Sequence, residues 1–386
     1  MRSRRLFLKR MSSALGMTWV GYEGLCRHLI EPESPSPSAF TSDAPEQLGP
    51  CSRHALHYER QGDVIICRLC PHACVLSEGD RGFCRARVVR GGRLHTVSYG
   101  NLCALALDPI EKKPLYHFMP QSPIASIAMG GCNLRCPNCQ NWQISQSRPQ
   151  DVKRYQAEPQ KVIELAQARG VPSIAYTYTE PLVGYEYVLD CAKLARNAGL
   201  KNVLVTAGYV NEKPLAQLLP YLDAVQLDVK AFDDEKYRQT TRGRLDPILR
   251  NLVALREGGV WLEVSFLMVS QLSDEPDEVG AFAHWMAENL GVDVPLHLLR
   301  FHPAHRLTHL APTPISKLSR AHEQAQDAGL RFVYVGNVPG LGFGVTRCPH
   351  DGDVLIERRG YHVQLNRLEG GACPKCGERI AGVFEG

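Results

Sequence analysis

Two kinds of hydrophobic periodicity alternate along the middle of the chain. Seven short runs rich in β-branched and other apolar residues have the pattern of buried strands: IASIAMGG, SIAYTYTE, NVLVTAGY, AVQLDVKA, WLEVSFLMVS, PLHLLRF and FVYVGN, between residues 124 and 337. Longer stretches such as EPQKVIELAQARG and YEYVLDCAKLARNAG separate them, with apolar residues at helical spacing and a glycine at the end. This alternation predicts repeated βα units, and hence a parallel sheet with helices outside it.

The number of strand-like runs limits how the sheet can close. Seven strands are fewer than the eight of a closed (β/α)8 barrel. We therefore predict an α/β fold built on a partial (β/α)6-type TIM barrel over residues 116–345, with small Cys-rich metal-binding extensions at 51–115 and 346–386, the second of them similar to a zinc ribbon. Ligands of such sheets bind at the carboxyl ends of the strands.

Composition narrows the function only slightly. The 386 residues are 44% hydrophobic and 22% charged, which is ordinary for a globular chain. The net charge is +4, but five basic residues and no acidic ones fall within the first ten positions, so the remainder is close to neutral. This charge distribution argues against nucleic acid as a partner.

The first fifty residues divide into two segments. SRRLFLK (3–9), followed by the mildly apolar MSSALGMTWVGY (11–22), resembles a twin-arginine export signal. Residues 1–30 are therefore predicted to be a leader, and the protein to be exported or held at the membrane only by an uncleaved leader; a basic N-terminal helix of a cytoplasmic protein is the alternative. The Pro-, Ser- and acid-rich residues 31–50 are predicted to be a disordered linker.

Three cysteines directly follow the first predicted barrel strand. Cys132, Cys136 and Cys139 in GGCNLRCPNCQNW have the spacing C-x3-C-x2-C. Closed zinc sites and ferredoxin clusters use four ligands, so this set leaves one position open. As a bare motif it is also compatible with a zinc or thiol cluster, but its placement at the mouth of the sheet favours a cofactor loop.

A second set of cysteines precedes the barrel. The stretch CRLCPHACVLSEGDRGFC contains Cys67, Cys70, Cys74 and Cys84. Close pairs beside Gly and Pro turns favour chelation over disulfides, because such turns direct both sulfurs at one site. Four thiolates would complete a zinc site or a closed auxiliary iron–sulfur cluster, with zinc slightly favoured.

A third set lies near the end of the chain. It contains Cys348, Cys373 and Cys376, in TRCPHDG and CPKCG. Three thiols are one ligand short of a closed site, so Asp351 or His350 would have to complete it.

Polar residues also occur where other predicted strands end. Thr179 and Glu180 lie in YTYTEP, Asp228 and Lys230 in QLDVKAF, and His302 in LLRFHP. Each also has a simpler interpretation: an acid at a helix start, a surface ion pair and a structural histidine, respectively.

The C-x3-C-x2-C motif after the first strand of a partial barrel resembles the radical S-adenosylmethionine (SAM) superfamily. The resemblance implies a 4Fe-4S cluster held by the three cysteines, with SAM on the fourth iron. YTYTEP resembles the family's Gly-Gly-Glu-Pro-type motif, so Thr179 and Glu180 would bind the SAM ammonium. Asp228 and Lys230 resemble the Asp-x-Lys of pyruvate formate-lyase activating enzymes, which helps to hold SAM. Lys230 and His302 are thereby the candidate catalytic residues, and His302 is also a candidate cofactor ligand.

Further motifs sharpen the resemblance. IEKKPLYHFMP, VYVGNVPG and the flanking Cys pairs resemble, over about residues 60–386, the radical SAM enzyme of the AmmeMemoRadiSam system, an activase-like family without an assigned substrate. The resemblance implies reductive cleavage of SAM and hydrogen abstraction from a protein or peptide, with a low-potential electron donor as partner.

Two alternatives stay open. One is a glycyl-radical enzyme activase. The other is a non-catalytic iron–sulfur or zinc scaffold, or an electron-transfer protein. Glu180, Asp228 and Lys230 discriminate between the classes, because a mere electron carrier needs no SAM ligands.

Overall fold

The computed structural model describes residues 43–152, 155–338 and 343–385. The predicted leader and residues 31–42 of the predicted linker lie outside this part of the chain. The strands before the barrel are β1 Arg53–His54, β2 Tyr58–Gln61, β3 Val64–Cys67, β4 Val75–Leu76, β5 Arg87–Arg90, β6 Arg93–Thr96 and β7 Asn101–Pro109. The later strands are β8 Pro123–Met129, β9 Tyr155–Gln156, β10 Ser173–Tyr176, β11 Lys201–Thr206, β12 Ala224–Val229, β13 Trp261–Met268, β14 Leu296–Arg300, β15 Val333–Gly336, β16 Thr346–Arg347, β17 Val354–Arg359 and β18 His362–Asn366. The α-helices are α1 Trp142–Ser145, α2 Pro159–Ala168, α3 Tyr185–Asn197, α4 Glu212–Leu218, α5 Asp234–Thr241, α6 Leu245–Glu257, α7 Pro276–Asn289 and α8 Ile315–Asp327.

The central sheet has nine strands in the order β15-β14-β13-β12-β11-β10-β8-β7-β9. The seven strands from β8 to β15, β9 excepted, pair in parallel with their neighbours. Helices connect them in sequence, so each crossover returns the chain to the next parallel strand. The predicted partial barrel is confirmed, and the seven strand-like runs are its seven parallel strands.

An antiparallel extension of this sheet changes the predicted boundary of the barrel. β7 pairs antiparallel with β8, from Leu102 opposite Met129 to Pro109 opposite Pro123, and β9 pairs with β7. The sheet therefore begins at Asn101 and not at residue 116 as predicted. Local periodicity did not reveal β7, because the leucines of its second half stay partly exposed at the sheet edge, Leu107 at 49%.

The two faces of the barrel sheet carry different side chains. Ile174, Leu204 and Val225 belong to the large core between the sheet and the helices. The residues that alternate with them, such as Ala175 and Val203, form a small separate cluster on the other face. Because successive strand residues point to opposite faces, this alternation defines an outer layer of large side chains and an inner layer of smaller ones.

The extension before the barrel contains two small antiparallel sheets, β1-β6-β5 and β2-β3-β4. Asp43 forms ion pairs with Arg81 and Arg148, both at 2.8 Å, and Ala44 is buried. Residues 43–50 therefore belong to the folded part, which corrects the predicted linker at its end. Charge pairing with distant arginines, which composition does not show, holds this segment.

The extension after the barrel is the sheet β16-β17-β18. Its buried Arg358 donates to the Tyr116 carbonyl at 2.6 Å. The backbone N–H groups of Tyr116 and His117 in turn donate to Glu263, near the start of β13, at 2.9 and 2.7 Å. This extension thus packs at the amino ends of the barrel strands, opposite the end where ligands are expected. Among the described residues, no helix combines the length and the apolar character needed to cross a bilayer.

Candidate active site

The three cysteines of the C-x3-C-x2-C motif lie in the loop between β8 and α1, residues 130–141, called here the cysteine loop. All three are free and partly exposed. The backbone N–H of Leu134 donates to Cys132 Sγ at 3.3 Å, and Cys139 Sγ lies 3.2 Å from Ser145 Oγ. Hydrogen bonds of this kind stabilise thiolates, so the loop is suited to hold metal.

The cysteine loop is fixed across the carboxyl ends of the barrel strands. Hydrogen bonds connect it to the segments that follow four other strands. They are Asn141 Nδ2 to the Tyr178 carbonyl (2.8 Å), Asn133 Nδ2 to the Tyr209 carbonyl (2.7 Å), Arg135 N to the Thr241 carbonyl (2.8 Å), and Arg306 N to the Pro137 carbonyl (2.9 Å). Every strand-end segment that carries a predicted site residue therefore contacts this loop.

Glu180 follows β10 and is almost fully buried, with 2% of its surface exposed. Its Oε1 accepts hydrogen bonds from Leu182 N (3.2 Å) and Thr206 Oγ1 (2.7 Å), and its Oε2 accepts one from Ala207 N (2.9 Å). Burial raises the pKa of Glu180, although these hydrogen bonds oppose the shift. A carboxylate has about four lone-pair sites, so one remains for a ligand. Glu180 joins the ends of β10 and β11.

Thr179 and Tyr178 fasten the same segment from the other side. Thr179 Oγ1 donates to the Met129 carbonyl at 2.7 Å. Tyr178 has a positive φ of 67°, and its hydroxyl donates to Asp108. Lys113, 2% exposed, lies 2.6 Å from the same carboxylate, and burial lowers its pKa to about 8 although Asp108 opposes the shift. A buried charged network therefore holds YTYTEP in place.

Asp228 and Lys230 form an ion pair at the end of β12, with 3.1 Å between Oδ2 and Nζ. Gln226 and Ser265 also donate to Asp228 Oδ1. Burial alone would raise the pKa of Asp228, but the Lys230 ammonium and these hydrogen bonds outweigh it and lower the pKa. Lys230 also faces the thiols, since its charge partly offsets the effect of burial, which raises the pKa of Cys136 to about 11. The pair thus adjoins the cysteine loop.

His302 contacts another strand end. Its Nε2 is 3.2 Å from the carbonyl oxygen of Asn337, which follows β15. Its neighbours reach the cysteine loop and the helix after it: Arg306 N donates to the Pro137 carbonyl at 2.9 Å, and the ring of His305 stacks on Trp142, the first residue of α1, with 5.1 Å between centroids. The loop after β14 therefore contributes to the site, while the His302 side chain is held against β15.

A cavity lies between the cysteine loop and the ends of β12 and β13. Cys136, Asn138 and Lys230 line one side, and Leu267, Val269 and Ser273 the other. A thiol, an ammonium group and apolar side chains thus face the same space beside the cysteine loop.

Two contributors were missing from the sequence analysis. Thr206 clamps Glu180, and Arg135 lies within the cysteine loop itself. Burial and the nearby Arg85 lower the pKa of Arg135 to about 10, against the effect of the neighbouring thiols. Thr206 acts through a contact distant in sequence, so no local motif identifies it; an arginine between two cysteines was the available signal for Arg135.

The C-terminal ligands come together at a separate site. Ligand atoms of Cys348, Asp351, Cys373 and Cys376 all lie within 4.8 Å of one another. Cys348 Sγ and Cys376 Sγ are 3.5 Å apart, and Cys373 Sγ and Asp351 Oδ2 are 3.8 Å apart. Tetrahedral zinc with bonds of about 2.3 Å to sulfur needs separations of this size. The set fits one auxiliary metal ion, and it is Asp351 that joins the three thiols.

The donors in the cysteine loop fit an iron–sulfur cluster with one open iron. The loop supplies three accessible thiols and no fourth cysteine, and Lys230 lies beside them. A complete thiolate set would close the cluster against a further ligand. Three thiols without a fourth, beside the Lys230 ammonium, are therefore the donor set that such a cluster requires.

Comparison with known proteins agrees with this geometry. Residues 126–286 match the family model of the Radical SAM superfamily. An uncharacterised protein of Methanocaldococcus jannaschii is 42% identical over 331 residues, which are 85% of this chain and 98% of that protein.

More distant relatives are named activating enzymes. The 4-hydroxyphenylacetate decarboxylase activating enzyme of Clostridium scatologenes is 24% identical over 40% of this chain and 47% of its own length, so the chain spans about half of that relative. A solved domain of a pyruvate-formate lyase-activating enzyme from Bacteroides vulgatus is 15% identical, covers 42% of this chain and 98% of its own, and has a TM-score of 0.38.

Proposed function

This chain belongs to the radical SAM superfamily, and we propose on that premise that it cleaves SAM reductively and uses the resulting 5′-deoxyadenosyl radical to take a hydrogen atom from a protein or peptide substrate. The observation that supports this most is the meeting of three free thiols with the Asp228–Lys230 pair and Glu180 at one end of the barrel. A protein that only carries electrons does not need Asp228, Lys230 and Glu180 beside its cluster.

Each group in the site has a defined part in the proposal. Cys132, Cys136 and Cys139 would hold three irons of a 4Fe-4S cluster. With SAM bound, this cluster supplies the electron that breaks the sulfonium C–S bond. Lys230, a cation beside the thiols, offsets their negative charge, and Asp228 fixes its position.

Glu180 has a second part in addition to the one its motif implies. Three protein hydrogen bonds already engage its carboxylate. We propose that it shapes the SAM ammonium site by joining the ends of β10 and β11, and that its one remaining lone pair faces the ammonium. Thr179 also helps to shape this site, because its hydroxyl donates its proton to the Met129 carbonyl and so joins the ends of β8 and β10.

Activation of a glycyl-radical enzyme is the second candidate, and the relatives named activating enzymes favour it. It differs only in the substrate, a backbone glycine of a partner enzyme. The requirement for a low-potential electron donor is common to both. The more specific resemblance to the AmmeMemoRadiSam enzyme and export through the leader stay predictions.

Spectroscopy of the reconstituted protein tests the proposal. After anaerobic reconstitution with iron and sulfide and reduction by dithionite, we expect an electron paramagnetic resonance (EPR) signal of a 4Fe-4S cluster that changes when SAM is added, because the open iron gains nitrogen and oxygen ligands. The response should saturate with SAM and be absent with adenosine alone, which lacks the α-amino and carboxylate groups.

Two variants complete the experiment. The triple replacement of Cys132, Cys136 and Cys139 by Ala should lose the SAM-dependent change. Lys230→Met should keep the cluster signal but need more SAM to change it. A wild-type EPR signal that does not change when SAM is added would favour an electron-transfer protein and contradict the proposal.

A further inference from the structure

The four cysteines before the barrel form a buried set that the proposed function leaves unused. Cys67 ends β3, Cys74 precedes β4, and Cys67 N donates to the Cys74 carbonyl at 2.9 Å. Cys70 lies in the turn between them, and Cys84 in the loop before β5. Each is 6–8% exposed, and none forms a disulfide.

This set adjoins the cysteine loop directly. Gly131 has a φ of 100°, and a Cβ added to it would lie 2.6 Å from the Cys84 carbonyl oxygen, so the two backbones touch. His72 Nε2 donates to the Asn133 carbonyl at 2.7 Å. Residues on both sides of Cys132 thus contact residues beside the N-terminal thiols.

Arg135 makes a third connection. Its guanidinium donates to the Cys132 carbonyl at 2.9 Å and to the carbonyl of Phe83, the residue before Cys84. One cation therefore contacts the backbone beside both sets of thiols.

A buried cation also lies beside this set. Arg87, three residues after Cys84, is 1% exposed, and Glu186 holds its guanidinium at 2.6 Å. A cation of this kind stabilises negative sulfur ligands of metal centres.

Spacing distinguishes an iron–sulfur cluster from a single ion. Within the described ranges, the only group of ligand atoms drawn close enough to share one ion is the C-terminal set. The four N-terminal thiols are not gathered in this way, and neither are those of the cysteine loop. Thiolates around a cluster stand farther apart than those around zinc, because the iron and sulfide atoms lie between them.

From these contacts we infer that Cys67, Cys70, Cys74 and Cys84 hold a closed 4Fe-4S cluster that relays electrons to the cluster of the cysteine loop. The sequence alone slightly favoured zinc here, and the spacing reverses that preference. The C-terminal metal site cannot share this role, because it packs at the opposite end of the barrel.

The electron balance is simple, and this part of the inference rests on the proposed function. A low-potential one-electron carrier protein would reduce the N-terminal centre by one electron, and that electron would pass to the centre in the cysteine loop. The N-terminal centre returns to its oxidised state, so it is a relay and is not consumed. The electron finally enters the C–S bond of SAM, which breaks to methionine and the adenosyl radical.

Metal analysis of the full chain tests the cluster itself. The Cys132→Ala, Cys136→Ala, Cys139→Ala variant keeps the N-terminal set intact. After anaerobic reconstitution it should contain about four iron and four sulfide per chain, against about eight of each in the wild type. Its reduced EPR signal should not respond to SAM. A variant with no iron and about two zinc ions would overturn the inference and assign a structural zinc to this site.

A second variant tests the relay. Cys70→Ser, Cys74→Ser should keep about four iron atoms, those of the cysteine loop. Its SAM cleavage should fall at least tenfold more with a reduced ferredoxin-type donor than with dithionite, which can reach the partly exposed central site directly. Equal losses with both reductants would overturn the relay. Absence of cleavage in the wild type with either donor would instead contradict the proposed function and leave the cluster result valid.

Discussion

Replacing Glu180 by Ala should damage the fold around the site as well as SAM binding. The substitution removes the acceptor of two buried backbone N–H groups, those of Leu182 and Ala207, and of the Thr206 hydroxyl. An unsatisfied buried donor costs about 1–3 kcal/mol, so the two N–H groups alone should lower the free energy of unfolding by about 2–6 kcal/mol. The loop between β10 and α3 should loosen most.

Anaerobic urea unfolding, followed by circular dichroism, measures this effect. The midpoint should fall at an unchanged slope, since the surface exposed on unfolding stays the same. Thr206→Ser is the matched control: it keeps the hydroxyl that donates to Glu180 at 2.7 Å and accepts from Gly208 N at 2.9 Å, so its midpoint should fall less. Equilibrium dialysis should show weaker SAM binding by Glu180→Ala. If Glu180→Ala had an unchanged midpoint but lost SAM binding, Glu180 would not join the ends of β10 and β11 and would act only as a ligand of SAM.

Four further predictions follow from the same geometry. Asp228→Asn should weaken SAM binding by about tenfold, because the charge-assisted bond that positions Lys230 contributes roughly 1.5 kcal/mol. Equilibrium dialysis measures this affinity. An unchanged affinity would exclude the Asp228–Lys230 pair from the SAM site. Because the pKa of Asp228 is lowered, its stabilisation is present above about pH 4 and is lost as pH falls through the folded value; a stability difference from Asp228→Asn that did not shrink on acidification would contradict this assignment. Gly131→Ala should lose iron and have a lower melting temperature, because its Cβ would lie 2.6 Å from the Cys84 carbonyl oxygen. Gly259→Ala, also at positive φ but with no atom near its Cβ, should have only a slightly lower melting temperature. Equal iron loss in both variants would refute the contact between Gly131 and Cys84. Asp351→Cys should bind zinc more tightly in a chelator competition, because a fourth thiolate replaces a harder ligand, and unchanged affinity would exclude this residue from the metal site.

The parallel barrel could be predicted because its signals are local. Each strand-like run and each helical stretch has its own periodicity, and connected βα units allow few topologies. The placement of Glu180, Asp228 and Lys230 at one end of the sheet then follows, since the carboxyl ends of parallel strands lie on the same edge.

The remaining features depend on pairings between distant parts of the chain. β7 joins the barrel through β8, and Thr206 donates to Glu180 from the next strand. The His302 side chain contacts Asn337 at the neighbouring strand end. The contact of Cys84 with Gly131 places the N-terminal thiols beside the cysteine loop, and no local pattern encodes it. Sequence could therefore supply the candidate residues but not their hydrogen-bond partners.

Formation of 5′-deoxyadenosine tests the central claim most directly. Reconstituted wild-type protein is incubated anaerobically with dithionite and SAM, and the products are quantified by mass spectrometry; the triple Ala variant of Cys132, Cys136 and Cys139 and a sample without reductant are the controls. We predict equal amounts of 5′-deoxyadenosine and methionine from the wild type, more than one per chain over time, and neither product in the controls. Cleavage of SAM by the triple variant, or none by a wild-type protein that holds its cluster, would contradict the account.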